Sequence, residues 1–238
     1  LFILVSLYTG IWVVQAADIP HLLPCPQKVV WNGEKFRHAG TFVSLTENLS
    51  SIGLKQTAGN QVTDATSGRP ALSVKWAKDF PDIPINRDEA YKLRVTSKGI
   101  EIEAITETGV YRAIQTLRQL TEKKGNGIAI TGCEITDWPA FRIRGFMQDV
   151  GRTYISMDEL KREIAILARY KINVFHWHLT ENQAWRLQSK VFPMLNDSVN
   201  TIRQPGKYYT LEEARELVDF CKQHHVMLIP EIDMPGHS

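Results

Sequence analysis

The sequence has few cysteines for its length. Its 238 residues include only Cys25, Cys133 and Cys221, and no two of them form a C-x-x-C pair. A disulfide-rich scaffold, a zinc knuckle and a thiol redox motif are therefore excluded. Cys221 falls on the apolar face of a predicted helix, which indicates a small core residue. One disulfide in an oxidising compartment remains open, and the sequence selects no pair for it.

An excess of charge of one sign is also missing. The formal net charge is +2, with 43% hydrophobic and 23% charged residues. These proportions are ordinary for a soluble globular protein and exclude a disordered chain. A nearly neutral chain gives no electrostatic basis for nucleic-acid binding. No glycine-rich phosphate loop follows a predicted strand, so no nucleotide site is expected and no cofactor is implied.

No apolar run reaches the roughly 20 residues that a membrane span requires. The run LFILVSLYTGIWVV at residues 1–14 precedes Gln15-Ala16-Ala17. Its length and the small residues after it are typical of the end of a secretory signal. We therefore expect residues 1–17 to be a partial signal peptide that is truncated at its start. We also expect export to the periplasm or the exterior. A buried strand or helix is the alternative for this run.

Short alternating strands dominate the next region. Residues 91–95 and 100–104 alternate between apolar and polar around Ser97-Lys98-Gly99, which predicts a β-hairpin. A helix over about 108–121 and a strand near 128–130 follow. This pattern predicts a small α+β domain over residues 18–140.

The period changes from residue 141 onward. Apolar strands are predicted near 143–150, 172–179 and 226–233, the last apolar on both faces for its first half. Ser156 and Thr210 each begin a capping box, with glutamate three residues later, so a helix is predicted in each gap. The order βαβαβ predicts an α/β unit with a parallel sheet.

Polar residues collect where these three strands end. Asp149 and Arg152 follow the first, His176 to Glu181 the second, and Glu231 to His237 the third. The carboxyl ends of parallel strands meet at one edge, in a barrel or in an open doubly wound sheet. A functional site is therefore expected at that edge.

Two kinds of site fit these residues. His176 and His178 share one face of their strand, and so do Glu231 and Asp233. Histidines in this spacing with nearby carboxylates suit a metal-dependent hydrolase. The same carboxylates suit a pocket for a hydroxyl-rich ligand. The plainer interpretation of each histidine is a hydrogen-bonded structural residue.

An aromatic wall would complete a sugar pocket. Trp177 and Trp185 are the candidates, and core packing explains either one equally well. Arg152 is interpretable in the same way, as a structural partner of Asp149.

Three segments together resemble glycoside hydrolase family 20, the β-N-acetylhexosaminidases. They are RGFMQDVGR at 144–152, HWHLTENQAWR at 176–186 and PEIDMPGH at 230–237, and residues 89–120 resemble the α+β domain that precedes the barrel in this family. The resemblance implies a (β/α)8 barrel, of which residues 141–238 hold the first three β/α units. It also implies exo-acting removal of terminal N-acetylglucosamine or N-acetylgalactosamine from glycans, by substrate-assisted retaining catalysis without a metal.

The resemblance assigns roles to individual residues. Glu181 and His237 would support the general acid, and Arg144 would clamp the outer sugar hydroxyls; the other substrate-binding residues would be Asp233, Glu231 and His178. Many members have two aspartates where this chain has Glu181-Asn182.

The resemblance also locates the catalytic Asp-Glu pair of the family, near the end of the fourth barrel strand. This pair has no counterpart in the sequence, and we expect it to lie beyond Ser238 in a longer protein. We therefore expect this fragment to be inactive. A metal-dependent barrel hydrolase and a non-catalytic carbohydrate-binding protein remain the alternatives.

Overall fold

The computed structural model describes residues 20–42, 45–46, 61–63 and 70–237. The predicted signal peptide at 1–17 lies outside the described residues. Ser238 lies outside them too. The expectation that the catalytic Asp-Glu pair follows Ser238 stays a prediction. The described residues form two larger sheets, each with its own apolar core, and one short two-stranded sheet.

The first sheet has seven strands and is mixed. Its order is β1-β7-β4-β5-β3-β2, with β6 paired to β7. The strands are β1 (Lys28–His38), β2 (Gln61–Thr63), β3 (Pro70–Trp76), β4 (Tyr91–Thr96), β5 (Gly99–Ala104), β6 (Thr121–Lys124) and β7 (Gly127–Asp137). The predicted hairpin is confirmed, because β4 and β5 pair antiparallel from Tyr91 opposite Ala104 to Thr96 opposite Gly99.

Helix α1 (Glu107–Gln119) packs on this sheet. Thr106 caps it, its side chain accepting a hydrogen bond from the backbone N–H of Gly109. Val110, Ala113 and Leu117 recur at helical spacing and are fully buried in the first core. The predicted helix is thus present, and these residues form the face that packs on the sheet.

The second sheet consists of three parallel strands in the order β12-β9-β8. These are β8 (Gly145–Asp149), β9 (Val174–His178) and β12 (Met227–Glu231), and a short hairpin, β10 (Thr180–Glu181) with β11 (Ala184–Trp185), follows β9. Helix α2 (Met157–Arg169) lies between β8 and β9, and α3 (Leu211–Gln223) between β11 and β12. The chain is therefore an α/β protein, as predicted.

Both predicted capping boxes are present. Ser156 and Thr210 each accept a hydrogen bond from the backbone of the glutamate three residues on, and that glutamate bonds back to the cap. The helices bury an apolar face against β9, where Phe175 and Trp177 lie in the second core. Cys221 is buried there too, as predicted. Trp177 is therefore a core residue, and the interpretation of it as a sugar platform is wrong.

One expectation about β12 is also wrong. The sequence predicts a strand buried on both faces, yet Met227 is 64% and Ile229 42% exposed. The reason is the face on which they lie. Ile229 stands in register with the partly exposed His176, on the face opposite the second core, and that face is uncovered among the described residues.

Within the described part of the chain, no helix is both long and apolar enough to cross a membrane. Cys25, Cys133 and Cys221 are all unpaired thiols.

We predict that Gly109→Ala destabilises the protein, although alanine favours a helix over glycine by about 1 kcal/mol. A Cβ at this position would lie 3.0 Å from Ala104 Cβ and closer still to the Ala90 carbonyl oxygen. The overpacking should lower the free energy of unfolding by about 2 kcal/mol, measured in urea. Gly145→Ala is the matched control, because its Cβ would meet nothing closer than 3.7 Å. Equal stability of the two variants would refute the prediction.

Candidate active site at the carboxyl edge of the parallel sheet

The three parallel strands place one residue each in a row at their carboxyl ends. Asp149 pairs in register with His178, and His178 with Glu231. Their side chains therefore lie side by side at one edge of the sheet. The segments that follow the strands add Arg152, Glu181, Asp233 and His237 to this edge.

Glu231 joins the two histidines of β9. Its Oε2 lies 2.5 Å from His176 Nε2 and 3.0 Å from His178 Nδ1. Burial opposes a charge on His178, but the hydrogen bond to Glu231 and the charges of Glu231, Asp149 and Asp233 together outweigh it and raise the pKa of His178. The same hydrogen bond lowers the pKa of Glu231. The two groups therefore favour opposite charges and form an ion pair.

Glu181 is the most deeply buried carboxylate of the site. Its side chain is 4% exposed, and its Oε2 lies 2.7 Å from His237 Nδ1 and 2.8 Å from Arg152 Nη2. Burial opposes ionisation, but hydrogen bonds from His237 and from the Asn182 backbone, together with the charge of Arg152, lower the pKa of Glu181. The carboxylate form is thus favoured. The structure brings Glu181 and His237 together, and their role in catalysis stays a prediction.

Arg152 makes more contacts at this edge than the sequence predicted. It pairs with Asp149, as one interpretation had it, but it also reaches Glu181, and its side chain remains 48% exposed. Asp149 Oδ1 accepts from the Arg152 backbone N–H at 3.0 Å. Two carboxylates and a backbone bond therefore hold a solvent-facing guanidinium at the edge. The sequence feature that indicates this role is the position of Arg152, three residues beyond Asp149 at the end of a strand.

Gly151 allows this arrangement. A Cβ at position 151 would lie 2.8 Å from Glu181 Cβ and 2.9 Å from the Thr180 carbonyl carbon. Only glycine leaves the segment after β8 room to lie directly against β10.

Arg144 is not part of this site, and its predicted role as a sugar clamp is wrong. It precedes β8, at the opposite end of the sheet from Arg152. Its guanidinium donates to Glu89 Oε2 at 2.5 Å and to the carbonyl oxygens of Lys171 and Phe141, both at 2.8 Å. The length of β8 separates it from the carboxyl edge by about 13 Å. A buried carboxylate, rather than a sugar, is its partner.

Asp233 lies beside the row of charges. Its backbone N–H donates to Thr180 Oγ1 at 3.0 Å. Asp233, His178 and Glu231 each offer a ligand atom, and these atoms lie within 4.8 Å of one another. Within this group, His178 Nδ1 and Glu231 Oε2 are bonded to each other at 3.0 Å.

Arg186 fixes the loop beside the site. Its side chain is fully buried, and its Nε donates to the Val150 carbonyl oxygen at 3.0 Å. The rest of the guanidinium donates to the carbonyl oxygens of Arg203, Gln204 and Lys207. One side chain thus ties the end of β8 to the loop before α3. Trp185, the other candidate for an aromatic wall, is half-buried and lines a cavity of about 180 Å³ together with Glu181.

Two family models match this chain. The model described as glycosyl hydrolase family 20, catalytic domain, matches residues 141–238, and the one described as glycosyl hydrolase family 20, domain 2, matches residues 20–138. The chain belongs to glycosyl hydrolase family 20. The resemblance of the three strand-end motifs is thereby confirmed.

Two curated beta-hexosaminidases are 37% and 39% identical to this chain over the residues that align. A beta-hexosaminidase of Porphyromonas gingivalis is 39% identical over 165 residues, which are 64% of this chain and 21% of the relative. A beta-hexosaminidase of Vibrio furnissii is 37% identical over 169 residues, 65% of this chain and 28% of the relative. The chain therefore spans between a fifth and a third of the length of these relatives.

Solved family 20 structures have the same fold. The exo beta-N-acetylglucosaminidase of Vibrio harveyi, in complex with N-acetylglucosamine, matches with a TM-score of 0.71 and 31% identity over 91% of this chain and 36% of that one. The N-acetyl-beta-hexosaminidase of Streptomyces plicatus matches with a TM-score of 0.72 and 29% identity over 91% of this chain and 46% of that one.

We predict that Glu231→Gln lowers the pKa of His178, because the substitution removes the negative charge that favours the imidazolium. NMR titration of the histidine rings measures this change, with the exposed Glu212→Gln as control. The pair stabilises the fold between about pH 4.5 and 6.5, the ordinary pKa values of the two groups. Its contribution falls away as the pH rises through the raised pKa of His178 or drops through the lowered pKa of Glu231. An unchanged His178 titration in Glu231→Gln would contradict the ion pair.

Proposed function

We propose that the protein containing this chain is an exo-acting β-N-acetylhexosaminidase. It removes terminal N-acetylglucosamine or N-acetylgalactosamine from glycans by substrate-assisted retaining catalysis. The observation that carries the proposal is the cluster of Arg152, Glu181 and His237 at the carboxyl edge, in a chain whose relatives are named beta-hexosaminidases.

The architecture in this proposal is a (β/α)8 barrel preceded by a small domain. Residues 141–238 form its first three β/α units and residues 18–140 the preceding α+β domain. The exposed Met227 and Ile229 of β12 support the proposal, since the interior of a complete barrel is filled by side chains on this face of its strands.

The described residues suit the supporting work of this reaction. In substrate-assisted cleavage the acetamido oxygen of the sugar attacks the anomeric carbon while a general acid protonates the leaving oxygen. Glu181 holds His237 by a charged hydrogen bond, so the imidazole can hold a neighbouring acid in position. Arg152 keeps donors free for sugar hydroxyls. The sequence has no counterpart of the family's Asp-Glu pair, so this chain supplies binding and support.

Export completes the proposal. It is supported by the uncharged apolar run at residues 1–14 and the small residues that follow it.

A comparison of two chromogenic substrates tests the reaction type. The full-length protein should hydrolyse p-nitrophenyl N-acetyl-β-glucosaminide and leave p-nitrophenyl β-glucoside, which lacks the acetamido group, almost intact. Activity should persist in a chelator, because no metal takes part. Equal turnover of both substrates, or loss of activity in the chelator, would reject the proposal.

We predict that Arg152→Ala lowers kcat/KM on the acetamido substrate by one to two orders of magnitude. A charge-assisted hydrogen bond contributes about 1.5–3 kcal/mol, and Arg152 is the exposed guanidinium of the site. Arg215→Ala is the control, since that arginine pairs only with Glu212 on the surface of α3. A kcat/KM equal to that of the unmodified enzyme would show that Arg152 does not bind the sugar.

A further inference from the structure

Glu89, in the region of the first sheet (residues 20–138, the first region), is bonded to the region of the second sheet (residues 141–237, the second region) at the end opposite the candidate site. Its Oε2 accepts from Arg112 Nε at 2.9 Å and from Arg144 Nη2 at 2.5 Å, and its Oε1 accepts from Asn173 Nδ2 at 2.9 Å. Arg112 in turn donates to the carbonyl oxygen of His225 at 2.9 Å. We call these five residues the junction cluster.

Each partner in the second region stands just before a parallel strand. Arg144 directly precedes β8, Asn173 directly precedes β9, and His225 lies two residues before β12. The partners are also linked to each other, because the Asn173 backbone N–H donates to the Arg144 carbonyl oxygen and that of Met227 to the Asn173 carbonyl oxygen. The junction cluster therefore joins the starts of all three strands to two bonded side chains of the first region, Glu89 and Arg112.

Two residues that end helices reinforce this connection. Lys171 follows α2 with a φ of 64° and His225 follows α3 with a φ of 52°, a backbone conformation disfavoured for residues other than glycine. Lys171 Nζ donates to Asp137 Oδ2 at 2.8 Å, and His225 Nδ1 lies 3.0 Å from Thr108 Oγ1. Each thus contacts the first region with its side chain, and these contacts help to hold the unusual backbone.

The charges of the junction cluster are shielded from water. The Arg112 side chain is 2% exposed and that of Glu89 10%. Because removal of one partner would leave a buried charge without its counter-charge, the bonded geometry is strongly specified.

We propose that Glu89 and Arg112 are positioning residues for the site at the other end of the strands. The first region fixes the relative positions of the three strand starts, and the strands transmit this alignment to Asp149, His178 and Glu231. The distance along each five-residue strand is about 13 Å, so neither residue touches a ligand bound at the carboxyl edge.

Two backbone hydrogen bonds at the far ends of the strands provide the readout. The Val150 N–H donates to His178 O at 3.0 Å, across β8 and β9, and the Leu179 N–H donates to Glu231 O at 3.1 Å, across β9 and β12. A purely local structural role of Glu89 would leave both bonds unchanged.

The test is hydrogen exchange, followed by mass spectrometry, on the full-length protein. Glu89→Gln removes the charge that holds both arginines, and we expect the amides of Val150 and Leu179 to exchange at least tenfold faster. Glu101→Gln, which breaks only an exposed pair with Lys75 in the same region, is the control and should change neither. Unchanged exchange at both amides in folded Glu89→Gln overturns the proposal.

Arg112→Lys decides the question if Glu89→Gln does not fold. Lysine keeps the charge beside Glu89 but loses the fork that also reaches His225. Exchange should then rise at Leu179, which reports on β12, and stay unchanged at Val150, which reports on β8 and β9. An equal rise at both amides, or none, overturns the proposal. The readout does not require catalysis, so failure of the proposed glycosidase activity would be seen separately.

Discussion

Parallel pairing of β8, β9 and β12 sets Asp149, His178 and Glu231 opposite one another, and the other groups of the candidate site are placed relative to that row. Side chains alternate along a strand, so a slip of one residue would turn His176 and His178 toward the helices and Trp177 to the opposite face of the sheet. Two sets of contacts therefore hold the register. The apolar residues of β9 are packed under α2 and α3, and the junction cluster holds the strand starts.

The two ends of the sheet use charge in different ways. At the starts of the strands, Glu89 and Arg112 are enclosed and their donors and acceptors are turned toward the protein. At the carboxyl edge, Arg152 and His237 are about half exposed while the Glu181 that holds them is buried. A buried anion that fixes partly exposed donors is an arrangement that can bind a hydroxyl-rich ligand without reorganising.

The local elements could be predicted well because their causes are local. The capping boxes at Ser156 and Thr210, the hairpin around Ser97-Lys98-Gly99 and the burial of Cys221 each follow from residues within one or two helical turns. The clustering at strand ends was predictable too, since parallel strands share an edge. What sequence alone could not decide depends on distant partners. Arg144 and Arg152 flank the same strand, and the resemblance selected the first of them. The partner of Arg144 is Glu89, which lies 55 residues upstream, and no periodicity in the sequence reveals that contact. The exposure of Met227 and Ile229 depends in the same way on what covers their face of the sheet.

We expect the sugar to bind at the carboxyl edge, where Arg152 holds it. The most direct test is a crystal structure of the full-length protein with N-acetylglucosamine bound. We expect the Arg152 guanidinium within hydrogen-bond distance of the ring hydroxyls, with Arg144 still paired to Glu89. A sugar bound at the opposite end of the sheet, or held by Arg144, would contradict the account.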